Sequence, residues 1–192
     1  NLYDIKQTPT YSMRTLAYHE ATPGHHHQIA HSLENKDLTL YRRFGYFTSA
    51  FAEGWALYSE ILALEAGLAE NPYDELGILQ SELFRAVRLV VDTGMHYKRW
   101  TREEAMEYMK SKTGMSDTEV RVEIERYIVW PGQALSYKVG MIKILELRER
   151  AKSELGDKFN IKDFHSAVLD HGNPPLFIVE EMVNDMINQA LN

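Results

Sequence analysis

The sequence predicts a single all-α domain, and three observations carry the prediction. The chain reads as helix after helix, with Gly, Pro and polar breaks falling at helix-length intervals. Two capping-box patterns, Thr101 with Glu104 and Ser116 with Glu119, mark helix starts. Strand-like alternation is scarce, and only Ile124 to Trp130 is β-branched enough to compete.

In chain order, Ser12 is a cap for a first helix that Pro23-Gly24 interrupts and that resumes through His31 to about Glu34. Asn35-Lys36-Asp37 is a polar break, and an apolar-rich helix follows from about Leu40 to Ala66, with Gly67 near its stop. Asn71-Pro72 is a turn, and Asp74 is the expected N-cap of a helix reaching about Lys98. The Thr101 helix ends where Gly114 supplies a C-cap, and the Ser116 helix runs to about Val129, ended by Pro131-Gly132. A helix from Gln133 to Leu155 is closed by Gly156. Helices around Lys162 to Asp170 and Leu176 to Leu191, separated by Gly172 and Pro174-Pro175, finish a domain that spans 1–192.

Composition narrows the function. The 192 residues are 44% hydrophobic and 26% charged, enough for one sizeable core and unlike a disordered chain. Lys and Arg total 21 against 28 Asp and Glu, a net charge of −7 without a basic patch, which argues against nucleic-acid binding. No apolar run approaches the roughly 18 residues a membrane span needs. Cysteine is absent, so disulfides and thiolate metal sites are excluded and any metal must be held by His and carboxylate. The chain opens Asn-Leu-Tyr-Asp, without a signal-peptide core or lipobox Cys. It therefore reads as part of a longer protein whose localisation signals lie elsewhere.

Five of the eight histidines fall within residues 19–31. His19-Glu20 is half of the H-E-x-x-H zinc motif, in which two His at i and i+4 share a helix face and Glu acts as general base. Position i+4 here is Pro23, which cannot ligate. His25 (i+6) points away on a regular helix, and His26 (i+7) lies about 10.5 Å further along the axis. Neither works unless Pro23-Gly24 bulges out and returns one of them beside His19. The motif is thus an expanded H-E-x-x-(P-G)-H. A rival pair, His27 and His31, needs no bulge but places Gln28 where the base belongs, and Gln cannot take a proton. A purely structural role for the cluster, capping a helix or filling a polar cleft, is the remaining reading.

A third ligand is expected from another helix. Glu53, in Phe51-Ala52-Glu53-Gly54-Trp55-Ala56-Leu57-Tyr58, is a carboxylate in an apolar context, expensive unless paired or metal-bound. Gly54 beside it permits close approach. Glu60, two turns on, is either a supporting partner or, more commonly for such a residue, an ordinary exposed Glu.

Together, H-E-x-x-P-G-H-H, E-G-W-A-L-Y, R-A-x-R-L-V-V-D-T-G-x-H and P-G-Q-A-L-S-Y-K resemble the domain of unknown function eight-eight-five family. That is a mainly bacterial family grouped with gluzincin-like peptidases. The resemblance runs from Tyr11 to about Leu176. It implies Zn²⁺ held by His19, by His25 or His26, and by Glu53, with Glu20 as base. Gly before the second ligand, as in oligopeptidase-type relatives, favours His25, while His27 stands where members often carry a bulky apolar residue. Members are longer, so the resemblance implies a C-terminal catalytic portion against which an N-terminal helical part packs.

Ser81, Arg85, Arg88, Asp92 and His96 form one stripe of the Asp74 helix, opposite an apolar face of Leu76, Leu79, Leu83, Val87 and Val90. The stripe is either a solvated salt-bridge face, with Arg88–Asp92 and Asp92–His96 as i,i+4 pairs, or a cleft wall. In the second case His96 donates to a tetrahedral intermediate and Arg85 or Arg88 meets a substrate carboxylate. Tyr137, just after Pro131-Gly132, is the candidate oxyanion donor that the resemblance favours; a packed Tyr is the alternative. His165 and His171 read as structural. The resulting expectation is a zinc metallopeptidase acting on peptides. Its rival is a non-catalytic helical peptide-binding or scaffold module with a vestigial metal site.

Overall fold

Nine α-helices and short 3₁₀ turns make up the described residues, 9–45 and 47–192 of the computed structural model, with no strand among them. The helices are α1 (Met13–Glu20), α2 (His25–Glu34), α3 (Ser49–Glu65), α4 (Pro72–His96) and α5 (Arg102–Thr113), then α6 (Asp117–Val129), α7 (Ser136–Leu155), α8 (Ile161–Leu169) and α9 (Leu176–Leu191). Both predicted capping boxes form, and Gly114 closes α5 at φ 69°, where a side chain would be strained.

α3 packs along α7 at the centre of the molecule. The approach depends on two facing glycines: a Cβ on Gly54 would overlap the Gly140 Cα, and one on Gly140 would overlap the Ala50 carbonyl. One core lies between α3, α7, α8 and α9, around Phe51, Trp55, Tyr58, Ile144, Leu147, Phe164 and Val183. A second, around Val87, Val91, Met109, Val120, Ile124 and Tyr127, joins α4 to α5 and α6. Ile124–Trp130, the stretch with strand character, is helical through Val129 because its 3.6-residue face carries Val120, Ile124 and Tyr127 into that core.

Three elements depart from the expectation. α3 begins at Ser49 rather than near Leu40, after a separate π-helical turn at Tyr41–Gly45. A distant residue sets this start: Asn173 accepts from the Thr48 backbone N–H (3.0 Å), and its carbonyl accepts from the Thr48 hydroxyl (3.1 Å). Asn71, not Asp74, caps α4, with Pro72 at the first helical position; Asp74 is buried in the first turn and accepts from the Glu70 N–H. Most consequential, α4 buries only part of its expected apolar face: Val87 lies in the second core, but two charged residues of the opposite stripe are buried as well. Arg88 and Asp92 are each 2% exposed, while Leu76 and Leu79 are 49% and Leu83 45% exposed.

Candidate metal centre

α1 ends at Glu20, and four residues later α2 starts at His25. The turn between them is built for close approach. A Cβ on Gly24 would overlap the His19 carbonyl oxygen, so only glycine lets the chain fold back against the end of α1. The Pro23 carbonyl accepts from the Trp55 indole N–H (2.9 Å), which ties the turn to α3. Two residues before Trp55 on α3 stands Glu53, next to the Gly54 that packs on Gly140.

These constraints bring His19, His25 and Glu53 together, with one ligand atom from each lying within 4.8 Å of the others. Glu53 Oε2 is 3.2 Å from His25 Nε2 and 3.8 Å from His19 Nε2, and the two imidazoles meet edge to face at 4.9 Å. On the far side of His19, Nδ1 lies 2.7 Å from Glu60 Oε1. Glu60 is 1% exposed, so it is not the ordinary surface Glu that its sequence context favours. Its carboxylate fixes the His19 ring and leaves Nε2 directed at Glu53.

The electrostatics follow from this packing. Burial alone would raise the Glu53 pKa, but hydrogen bonds from His19 and His25, and from Tyr137, hold it down at about 2. For His19, burial pushes the pKa down, yet hydrogen bonds to Glu53 and Glu60 outweigh it and the net shift is upward. The centre is therefore a partly buried cluster whose carboxylate the surrounding histidines hold ionised.

Between the two histidine frames the geometry is decided. The helix breaks at Pro23-Gly24, and it is His25 that returns to His19; His26 is exposed. His27 and His31 sit with ring centroids 6.3 Å apart, and His31 is paired with Asp170 at 2.6 Å. Glu20 is exposed at the end of α1, with no hydrogen bond or ion pair to any described residue. Tyr137 stacks on His19 at 6.1 Å, and its hydroxyl accepts from Gln133 Nε2 at 3.2 Å.

The sequence of the family described as "Bacterial protein of unknown function (DUF885)" matches residues 1–183. The chain belongs to DUF885. Two solved structures are similar to this DUF885 chain, and both are described as a "putative lipoprotein". The one from Colwellia psychrerythraea is 54% identical with a TM-score of 0.94, the match covering 98% of this chain and 32% of that one. The one from Shewanella oneidensis, of unknown function, is 27% identical with a TM-score of 0.85, covering 93% and 32%. The DUF885 chain thus spans about a third of either relative. Comparison with curated proteins gives no match.

Two expected participants have protein partners of their own. His96 Nε2 donates to the Tyr127 carbonyl (2.9 Å), two turns along α4 from Arg88, and so ties α4 to α6 instead of joining the cluster. Arg88 is too deeply buried to meet a substrate; it donates to Gln133 Oε1 (2.9 Å) and lies 4.2 Å over the Tyr137 ring. The i,i+4 pairs expected along the stripe do not form, because Asp92 accepts instead from the Gly132 N–H at 3.1 Å. Gln133 went unassigned in the sequence, although its Nε2 reaches both Glu53 Oε1 (3.4 Å) and the Tyr137 hydroxyl. Its only sequence signal was membership of the Pro131–Lys138 motif. His165 lies away from the cluster: it shares a hydrogen bond with the Tyr58 hydroxyl (2.8 Å), and burial, with Arg148 nearby, lowers its pKa to about 4.

Proposed function

We propose that this chain carries the catalytic centre of a zinc-dependent metallopeptidase. The observation that carries the reading is the convergence of His19, His25 and Glu53, with Glu60 behind His19. Ligands about 2.0–2.2 Å from a tetrahedral zinc lie about 3.3–3.6 Å from one another. The separations of 3.2 and 3.8 Å around Glu53 Oε2 lie just either side of that range, so a small shift of the side chains would bring them into it. Two imidazoles and one carboxylate are also a donor set suited to zinc, and leave a coordination position open.

When bound there, zinc would lower the pKa of a water to roughly 7 and polarise the scissile carbonyl. The protein supplies the rest. Glu20, adjacent to His19 and without a side-chain partner among the described residues, takes the proton of the attacking water and returns it to the leaving amine. Tyr137, whose hydroxyl oxygen accepts from Gln133 and whose proton bonds Glu53, would turn that donor to the developing oxyanion. Glu60 keeps His19 in the tautomer whose Nε2 is unprotonated and available to the metal. Carried over from the solved relatives, the lipoprotein description sets the chain in an exported or membrane-anchored protein. Among the described residues no helix is long and apolar enough to cross a membrane.

The deciding experiment combines metal analysis of protein purified without added metal with digestion of a peptide library by wild type and Glu20→Gln. Zinc bound to both, with hydrolysis lowered about 10²–10⁴-fold in the variant, supports the mechanism. Zinc-loaded Glu20→Gln cutting at the wild-type rate would remove Glu20 as the base. Protein that binds no zinc and cuts nothing leaves the helical binding-module reading instead.

A further inference from the structure

Beside His19 the protein opens a cleft of about 240 Å³ that the metal cluster only borders. Leu16, Phe84 and Met115 give it apolar walls, and Ser81, Arg85 and Glu119 add polar groups. Both carboxylates on its lining have a partner through one oxygen: Glu60 Oε1 holds His19, its buried Oε2 staying unpaired among the described residues, and Glu119 Oε2 accepts from the Ser116 N–H in the α6 capping box.

Arg85 is not engaged in this way. Its Nη1 donates to the Ser81 hydroxyl at 2.5 Å, but Nε is closed off from solvent without a hydrogen-bond partner. Nη2 bonds to no described residue, and no described carboxylate lies within ion-pair distance. The guanidinium carbon is 5.5 Å from the Tyr137 ring, which itself stacks on His19. Arg88, beneath the same ring, also lacks an acidic partner. A half-buried guanidinium with no counter-ion is a costly arrangement that an anionic ligand would relieve.

We propose that Arg85 is the carboxylate-binding group of a substrate subsite in this cleft, on whose lining His19 also lies. The role in hydrolysis rests on the metallopeptidase reading, whereas the binding itself does not. The carboxylate comes either from the free C-terminus of a peptide, its last apolar side chain against Leu16, Phe84 and Met115, or from an acidic side chain. In both cases the planar guanidinium offers a directional pair of donors, with Ser81 holding its orientation.

Calorimetric titration of the purified protein, before and after metal chelation, tests this with three probes: N-acetylleucine, N-acetylleucinamide and the α-amide of N-acetylglutamic acid. The expected result is that at least one of the two acids binds about tenfold or more tightly than N-acetylleucinamide, in the chelated protein as well. Which acid does so identifies the source of the carboxylate. The preference should vanish in Arg85→Met and weaken in Arg85→Lys and in Ser81→Ala, with zinc content unchanged. Equal binding of acids and amide by the wild-type protein, a comparison that needs no variant to fold, overturns the proposal. So does a preference that survives Arg85→Met. A preference without zinc binding or hydrolysis keeps the subsite and defeats the peptidase reading; hydrolysis without a preference does the reverse.

Discussion

Along α6, Val120, Ile124 and Tyr127 are buried while Arg121, Glu125 and Ile128 face solvent, and a capping box starts the helix where the sequence puts it. Along α4, Arg88 and Asp92 are buried and the leucines at 76, 79 and 83 face out. Both helices have amphipathic sequences, but α4 buries two charged residues beside Val87 and Val91, whereas α6 buries none. Burying a guanidinium and a carboxylate costs several kcal/mol unless each is fully used. In α4 they are used at a distance in sequence: Asp92 holds the Gly132 N–H, and Arg88 holds Gln133 and lies against Tyr137. The helix that breaks the ordinary rule is thus the one that fixes the segment facing the metal centre. α6 has only its neighbours to satisfy.

The sharpest way to break this contrast is a matched pair of alanine substitutions. Asp92→Ala strips the Gly132 N–H of its buried acceptor and should cost about 2–3 kcal/mol in urea unfolding. Arg121→Ala on the solvent face of α6 should stay within about 0.5 kcal/mol. Equal losses would mean that the α4 stripe is no more than a solvated face.

A second test moves to the support behind the ligands. Glu60→Gln keeps the volume but weakens the hold on His19 Nδ1. Zinc affinity should fall about 10–100-fold, roughly 1.4–2.7 kcal/mol, with fold stability changed far less. An unchanged zinc affinity would reduce Glu60 to a packing residue.

The third concerns pH. The folded pKa of His165 is about 4, below the 6.5 expected when unfolded, so between these values the unfolded chain binds more protons. Stability should be full above about pH 6.5 and decline as pH falls toward 4, by about 2 kcal/mol at most once partial exposure is discounted. His165→Gln should flatten that part of the stability–pH curve, and an unaltered slope would assign the decline to other groups.

The smallest effect is expected on α6. Ser116→Ala removes the hydroxyl that accepts from the Glu119 N–H and should cost about 1 kcal/mol, read as a shift in the urea midpoint. A larger loss, or a loss of zinc with it, would show that the two helices are coupled.

Legibility differed between the fold and the site in the same way. Capping residues act within three positions of themselves, so Thr101, Ser116 and Gly114 could be read directly. The Pro23-Gly24 break was legible too, because proline and glycine carry their consequences in their own backbones. The start of α3 was not, since Asn173 fixes Thr48 from 125 positions away. Glu60 looked like a surface residue because its partner is 41 positions distant. Gln133 gave no chemical signal of its own, being neutral and unremarkable in composition.

By itself, then, the sequence determined the helical class, the local stops and starts, and the inventory of donors: histidine and carboxylate, with no thiolate. These follow from backbone conformation, short-range hydrogen bonding and composition, all of which act over a few residues or none. Only the tertiary structure decided that His25 rather than His26 returns to His19, that α4 buries its charges, and that Arg85 is left facing a cleft while Arg88 is locked beneath Tyr137. Those outcomes depend on which groups meet across the α1–α3, α3–α7 and α4–α7 contacts, where a buried charge or an unpaired donor costs more than any local preference can offset.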